Sequence, residues 1–291
     1  MMTRYSFGGD EHLVVEVDEA MSLRAFFAAL SICNAIRDSQ IRGVTEICPS
    51  NASFQLRFDP DLIAAEDLLA EVKQIEASLS NREEALGTRV LEIPVFYDDP
   101  WTREVMARFG DRRQNPQLTD LEYAARINGL PGPLDYVARH SGSPWMVTMV
   151  GFGAGSPFMF QMVEQDQQLQ VPKYVRPRTD TPKQCVSQGG CFTGIYPVRG
   201  AGGYQMLGVT PLPIYDPTQT TSYLREFMIL FRPGDIVRMR PIDRNEYDEL
   251  AEQVKSEDFQ LHQTPASFSL DAFERDIKAS NQQMLEAIDG H

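Results

Sequence analysis

Apolar and polar residues along the first hundred positions follow two periods. "HLVVEV" (12–17) is rich in β-branched residues and predicts a strand. After Ser22, the residues Leu23, Phe26, Phe27, Leu30 and Cys33 recur at helical spacing. "GVTEICPS" and "ASFQLRFD" predict two short strands joined by a turn near Pro49-Ser50-Asn51. Leu62, Ala65, Leu68, Leu69, Val72, Ile75 and Leu79 mark a second helix, and "RVLEIPVFY" (89–97) a further strand. The order β-α-β-β-α-β predicts a ferredoxin-like α+β unit. The polar stretch "SNREEALGT" (80–88) is the linker expected from this pattern, so the first domain is expected over residues 1–88.

The texture then changes. Thr119 and Glu122 have capping-box spacing ahead of one short helix, and "GPLDYVARH" predicts another that ends at His140. Beyond it, "PWMVTMVGF", "FTGIYPV", "YQMLGVT", "REFMILF" and "DIVRMRPI" are short apolar runs separated by Gly and Pro. Several short strands at such spacing predict a mostly-β sandwich or barrel over residues 89–250. Residues 251–291 read as a helical extension, with Ser269 capping one helix that carries Leu270, Phe273, Ile277, Met284 and Ile288 on one face.

Charge narrows the partners. Lys and Arg number 27 against 41 Asp and Glu, a net −14. Nucleic acid and anionic membrane surfaces both require a basic face, so neither is an expected partner. There is no run of about 18 apolar residues and no apolar leader near the start, and the expected location is cytoplasmic. Cys33, Cys48, Cys185 and Cys191 form no CxxC and read as reduced thiols. The four histidines are scattered, and no metal site is expected.

Residues 188–217 read "QGGCFTGIYPVRGAGGYQMLGVTPLPIYDP", and seven of the 20 glycines lie between Gly189 and Gly208. This is neither a Walker loop nor a dinucleotide fingerprint, because no strand-turn-helix context surrounds it. Two readings remain open. Glycines permit bends and close approach in a barrel, or bare backbone N–H groups face a ligand and stabilise a developing oxyanion.

The succession "VARHSGSPWMVTMVGFGAGSPFMF", "VPKYVRPRTDTPKQCV", "TGIYPVRGAGGYQMLGVTPLPIYDP" and "FRPGDIVRMRPI" resembles the family that holds the B component of 5-oxoprolinase, allophanate hydrolase subunit 1 and the sporulation kinase inhibitor KipI. The same domain forms half of the carboxyltransferase part of urea carboxylase. The resemblance runs over roughly residues 8–250. It implies a small α+β domain followed by a cyclophilin-like β-barrel. Thr193, Gly194, Tyr196 and Pro197 match the family's TGIYP. Gly203, Gln205, Gly208, Thr210, Pro211 and Pro213 match the motif after it. Arg178 matches an upstream Arg, His140 a His before the "GF" loop, and Gly151, Phe152, Gly155 and Pro157 part of that loop.

The resemblance implies one subunit of a two-component enzyme acting on an amide, lactam or urea-like group. Its reaction would be ATP-dependent ring opening of 5-oxoproline or biotin-dependent carboxyl transfer. The implied partner is a second carboxyltransferase-like subunit, of the type of the 5-oxoprolinase C component or allophanate hydrolase subunit 2. The chain alone is expected to be inactive and to bind no cofactor, with ATP or carboxybiotin used by the assembled enzyme. The alternative the family offers is a regulatory protein of KipI type that inhibits a histidine kinase; a third is a barrel that binds a metabolite without chemistry.

His140, Arg178 and Tyr196 are the candidate catalytic residues. Gly151, Phe152, Gly155, Gly190, Phe192, Thr193, Gly194 and Gln205 are the candidate substrate contacts. An imidazole suits acid-base work, and a guanidinium suits bidentate contact with a carboxylate. Each has a structural counterpart: a hydrogen-bonded helix-end His, an ion-paired Arg, a Tyr that merely packs. Cys191 would need a neighbouring base to act as a nucleophile. Departures from the family at Gly153-Ala154, Ser156 and Cys191-Phe192 imply an altered substrate, since Phe192 stands where a Gln could make polar contacts.

Overall fold

The computed structural model describes residues 3–79 and 85–290. Most of the expected linker, residues 80–84, lies outside the described residues. By contacts the chain forms two compact units, Met1–Leu86 with Phe268–Glu274, and Gly87–Ser267 with Arg275–His291.

The first unit contains β1 (Arg4–Phe7), β2 (His12–Glu16), α1 (Leu23–Ser39), β3 (Val44–Ser50), β4 (Ser53–Phe58) and α2 (Ala65–Leu79). Ser22 starts α1 by accepting the Ala25 N–H at 3.0 Å, which satisfies one orphan donor of the first turn. The strands lie in the order β1-β2-β4-β3. Alternate residues Leu13 and Val15 of β2 and Phe54, Leu56 and Phe58 of β4 face the helices. They meet Ala29, Ile32, Cys33 and Ile36 of α1 and Leu68 and Val72 of α2 in one core. The β-α-β-β-α-β order counts residues 89–97 as its last strand, although the expected bounds already open the second domain at residue 89. That segment belongs to the second unit, and β1, a strand the pattern does not reveal, pairs with β2 instead. β1 has three exposed residues of four, so it carries no apolar alternation to read.

The second unit contains β5 (Leu86–Tyr97), α3 (Pro100–Arg108), α4 (Asp120–Ile127), α5 (Pro133–Ser141), β6 (Trp145–Val150), β7 (Pro157–Gln161), β8 (Arg178–Thr181), β9 (Cys185–Gly189), β10 (Phe192–Ile195), β11 (Gly200–Gly202), β12 (Gln205–Val209), β13 (Ile236–Pro241), α6 (Arg244–Lys255) and β14 (Gln263–Phe268). Strand pairing runs β6-β13-β5-β12-β9-β10-β7 and returns from β7 to β6, a closed ring that leaves these seven strands no free edge. β13 joins β5 in parallel, and the remaining ring pairings are antiparallel. Leu91, Ile93, Val95, Trp145, Val147, Met159, Val186, Ile195, Leu207 and Val237 supply one shared core, joined by Leu121 and Ala124 of α4 and Tyr136 of α5. α4 begins with the expected capping box between Thr119 and Glu122. α3 was not anticipated, although Asp99-Pro100 is a start signal. Asp99 accepts the N–H groups of Trp101 and Thr102, each at 2.9 Å.

Two expectations need correction. The run 225–231 is not a strand: it contributes a single bridge, Tyr215 to Ile229, and leaves Phe227 exposed. The helix expected from Ser269 onward is two, α7 (Leu270–Arg275) and α8 (Ile277–Asp289). Asp276 leaves helical geometry and caps α8 through the Ala279 N–H at 2.9 Å. The tail is accordingly divided. Phe268 and Phe273 pack at a tilt within the first unit, their centroids 5.5 Å apart. Asn281 donates to the Met162 carbonyl at 2.6 Å in the second.

Candidate active site

His140 sits in the last turn of α5 and is fully enclosed. Its ring is boxed by Tyr136, Trp145 and Tyr97. Nδ1 lies 2.8 Å from the Tyr97 hydroxyl and Nε2 2.8 Å from Thr193 Oγ1. The direction of the chain follows from its far end. The Gln188 amide nitrogen donates to the carbonyls of Leu169 and Gly190, so its oxygen must accept, and Thr193 donates to it. Thr193 Oγ1 then accepts from Nε2–H, and Nδ1 accepts the Tyr97 proton. Burial holds the imidazole neutral by lowering its pKa to about 3. With both nitrogens engaged and no charge, His140 ties α5 to β5 and β10.

A second polar cluster surrounds Asp120, the first residue of α4. Asp120 is fully buried, and desolvation raises its pKa against the pull of the Met206 N–H, the Tyr174 hydroxyl and the Arg113 and Arg178 charges. Oδ1 accepts from the Tyr174 hydroxyl at 2.9 Å and pairs with Arg113 Nε at 3.2 Å. Oδ2 accepts the Met206 N–H at 2.8 Å. Arg178, at the start of β8, is also fully buried. Its guanidinium lies over the Tyr174 ring, 4.3 Å from the centroid, donates from Nη1 to the Tyr204 carbonyl at 2.8 Å, and reaches Thr181 Oγ1 from Nε at 3.3 Å. Tyr196 stands close enough for the Arg178 charge to favour its phenolate, although burial raises its pKa more strongly.

Part of the glycine-rich segment is closely packed, whereas Gly190, Gly200 and Gly203 have open space where a Cβ would stand. β10 pairs on both edges, with Phe192–Gly194 against β7 and Phe192–Ile195 against β9. Gly190, at φ +59°, turns the β9–β10 hairpin, and its N–H donates to the Val171 carbonyl at 2.7 Å. A Cβ on Gly189 would enter the Tyr204 ring, one on Gly202 would come 2.7 Å from Thr181 Oγ1, and one on Gly208 would come 2.8 Å from Tyr97 Cα. The oxyanion reading finds no free N–H at Gly190.

The other candidates divide between core and surface. Gln205 is buried and donates to the Pro172 carbonyl at 2.7 Å. Thr193 points into the core with Ile195; Phe192 lies on the opposite face, half-buried against Phe158 and Phe160 at centroid distances of 6.0 and 6.1 Å. Phe192 therefore does not point into the ring. Gly151 and Gly155 shape a tight loop in which the Gly153 N–H bonds the Gly151 carbonyl at 2.8 Å around Phe152. Phe152 has φ +67° and is 94% exposed. Gly155, at φ +77°, packs near Tyr215 and Ile229. Cys191 is half-buried and burial raises its thiol pKa, which disfavours the nucleophilic thiolate.

Sequence reasoning missed Asp120, Arg113, Tyr174, Tyr97 and Gln188. Asp120 had a visible signal, a carboxylate in a first helical turn, but that is also where a solvated acid sits; its burial depends on contacts 54 residues away at Tyr174 and 86 away at Met206. Among the described residues there is no cluster of His, Cys, Asp and Glu able to hold a metal ion, and no helix long and apolar enough to cross a membrane.

A closed ring with this motif series defines a carboxyltransferase-type domain. The model for carboxyltransferase domain, subdomain C and D, matches residues 3–225, and the chain belongs to that family. It is 23% identical over 260 residues to a urea amidolyase of Lachancea kluyveri, covering 88% of this chain and 14% of that protein. It is 41% identical over 75 residues to the B component of 5-oxoprolinase from Escherichia coli O157:H7, covering 26% of this chain and 32% of that one. Its fold is similar to that of the urea carboxylase of Kluyveromyces lactis, with TM-score 0.82 and 21% identity over 98% of this chain and 26% of that chain. The matched part thus spans about a third or less of each relative.

Proposed function

We propose that this chain is the carboxyltransferase-like component of a larger enzyme of 5-oxoprolinase or urea-amidolyase type, acting on the planar N–C=O group of an amide, lactam or urea-like substrate. The observation that carries this reading is the Thr193–Pro213 motif, which occupies β10 to β12 inside a domain matched by the family model. The closed ring supports a cyclophilin-like architecture for that domain. Relatives carry the unit within longer chains or as one named component of 5-oxoprolinase, which supports a second carboxyltransferase-like subunit as partner and an inactive isolated chain.

Within such an enzyme Arg178 and Tyr196 are this chain's groups suited to meet developing negative charge, and His140 serves by fixing β10 behind them. ATP and carboxybiotin are assigned to the assembly. In the glycine segment the Gly190 N–H is bonded to the Val171 carbonyl, and Gly189, Gly202 and Gly208 are closely packed.

The test is co-expression with the partner subunit, followed by ATP-dependent hydrolysis of 5-oxoproline and related lactams, and biotin-dependent carboxylation of urea. Partner-dependent turnover of one of these is expected, with the isolated chain at background. Absence of turnover across both panels, from a stable complex, refutes the enzymatic reading. The changes at Ser156 and Cys191-Phe192 further imply poor turnover of 5-oxoproline itself; efficient turnover by the native pair removes that refinement.

A further inference from the structure

We infer that the β6–β7 loop is a docking face for the second carboxyltransferase-like subunit, which receives the Phe152 ring in an apolar pocket. This rests on the reading above that such a subunit completes the enzyme.

The loop presents the ring instead of burying it. Phe152 is 94% exposed, the most open of the large apolar residues described. Its backbone lies at φ +67°, a left-handed conformation that side-chain-bearing residues rarely adopt. Three hydrogen bonds close the turn around it. The Gly151 N–H donates to the Ser156 carbonyl at 3.0 Å, the Gly153 N–H to the Gly151 carbonyl at 2.8 Å, and the Ser156 N–H to the Gly153 carbonyl at 3.0 Å. For stability alone, Gly or Asn would serve better at this position. The ring pays no part of that cost back through contacts within the chain, because almost all of it faces solvent.

Exposed apolar residues border the loop on two sides. Pro197 stands 4.0 Å from where a Gly153 Cβ would lie, and Val198, next in the chain, is 50% exposed. Ile229 stands 3.5 Å from where a Gly155 Cβ would lie, and Phe227 and Met228, just before it, are 51% and 36% exposed. Single exposed apolar residues are ordinary on a surface. Several bordering one turn have the composition of an interface centre, where aromatic residues and Met are enriched. Arg199 follows Val198, is well exposed, and shares Asp180 with Arg108, which places charged groups at the margin as in an interface rim.

The occupant follows from what accompanies this unit in its family. The matched model describes subdomains C and D of a carboxyltransferase domain, and the urea amidolyase relative extends far beyond the 14% of its length matched here. A second copy of this chain fits less well. The groove it offers beside Ile41 and Leu62 is also lined by Arg42, Asp61, Asp67 and Glu71, and burying an uncharged ring there would strip those charges of water.

The test uses the full chain and the second carboxyltransferase-like subunit of the same organism, purified separately and mixed without substrate or nucleotide. Affinity is read by biolayer interferometry and self-association by sedimentation velocity. The native pair should form a complex. Phe152→Gly removes the ring and suits the left-handed backbone, so its melting temperature should equal or exceed the native value. Its affinity for the partner should fall about tenfold or more, the scale of a central interface residue. Phe152→Leu keeps apolar bulk and should retain part of the affinity. Absence of a complex between the native partners overturns the inference, as does an affinity unchanged in Phe152→Gly. Self-association of the native chain that Phe152→Gly abolishes overturns the named occupant in favour of a second copy. A complex that depends on Phe152 but turns over none of the substrates above upholds this face and removes the enzymatic reading. Turnover with an affinity indifferent to Phe152 does the reverse.

Discussion

Along one chain through His140 every donor has an acceptor, from the Tyr97 hydroxyl through the imidazole and Thr193 to the Gln188 amide and the Leu169 carbonyl, while the buried Tyr136 hydroxyl beside the ring has none. Around Asp120 and Arg178 two guanidinium nitrogens are left over. Both clusters are buried in the same unit, and both use residues that the motif series singles out. The first is a neutral chain that fixes one arrangement of α5, β5 and β10. The second sets one carboxylate among the charges of two guanidinium groups, so its charges do not cancel within it. A buried titratable residue is thus not by itself a functional one; what distinguishes the two clusters is the charge they hold.

The sharpest way to break this contrast is at Asp120. Asp120→Ala removes the common acceptor of Tyr174, Met206 and Arg113 and leaves buried positive charge uncompensated. Stability should fall by about 3–5 kcal/mol, the range for breaking one side of a buried ion pair, as measured by urea denaturation. A loss below about 1 kcal/mol, the scale of a surface pair, would show that solvent reaches the cluster.

Thr193→Val tests the closed chain. It keeps the shape of the side chain but removes the hydroxyl that accepts from His140 and donates to Gln188. Two buried groups lose their partner, and a cost of about 2–3 kcal/mol is expected. Its cost should add to that of Asp120→Ala in the double variant, since none of the Asp120, Arg113 or Arg178 contacts passes through Thr193. A double-variant cost well away from the sum would merge the two clusters into one.

The smallest effect is the pH dependence carried by His140. Its folded pKa, about 3, lies below the unfolded value of about 6.5. Between these values the unfolded chain binds a proton that the native chain does not, so stability is fully present above about pH 6.5 and falls as the pH drops toward 3. The slope from this group approaches about 1.4 kcal/mol per pH unit. Comparing the native chain with His140→Gln between pH 6.5 and 4.5 isolates it, because the carboxyls, including Asp99 and Asp120 whose pKa values burial raises, are common to both proteins. Equal slopes in the two proteins would mean that His140 is protonated in the native state.

Much of the fold was legible because it is written in short-range periodicity. The 3.6-residue repeat of α1 and α2, the alternation of β2 and β4 and the Thr119–Glu122 capping box all depend on residues a few positions apart. β1 and the break at Asp276 were not legible, for opposite reasons. β1 has almost no buried side chain to mark it, while residues 270–288 keep an apolar repeat across a cap that interrupts the helix. The motif series identified His140, Arg178 and Thr193 as notable without distinguishing their work. Phe192 and Thr193 are neighbours in sequence, yet strand alternation sends one to an aromatic outer face and the other to the His140 chain.

Local pattern and motif order were enough for the family, for a β-rich second unit and for several helices, because each of these depends on neighbours along the chain or on a long shared string. Tertiary structure decided which glycines pack and which turn, that His140 is neutral and fully bonded, and that Asp120 is the hinge of a cluster with donors to spare. The reason is physical. A hydrogen bond is satisfied or unsatisfied according to which distant segment arrives within about 3 Å, and Asp120 meets Tyr174 and Met206 across separations of 54 and 86 residues, a distance over which no repeat in the sequence carries information.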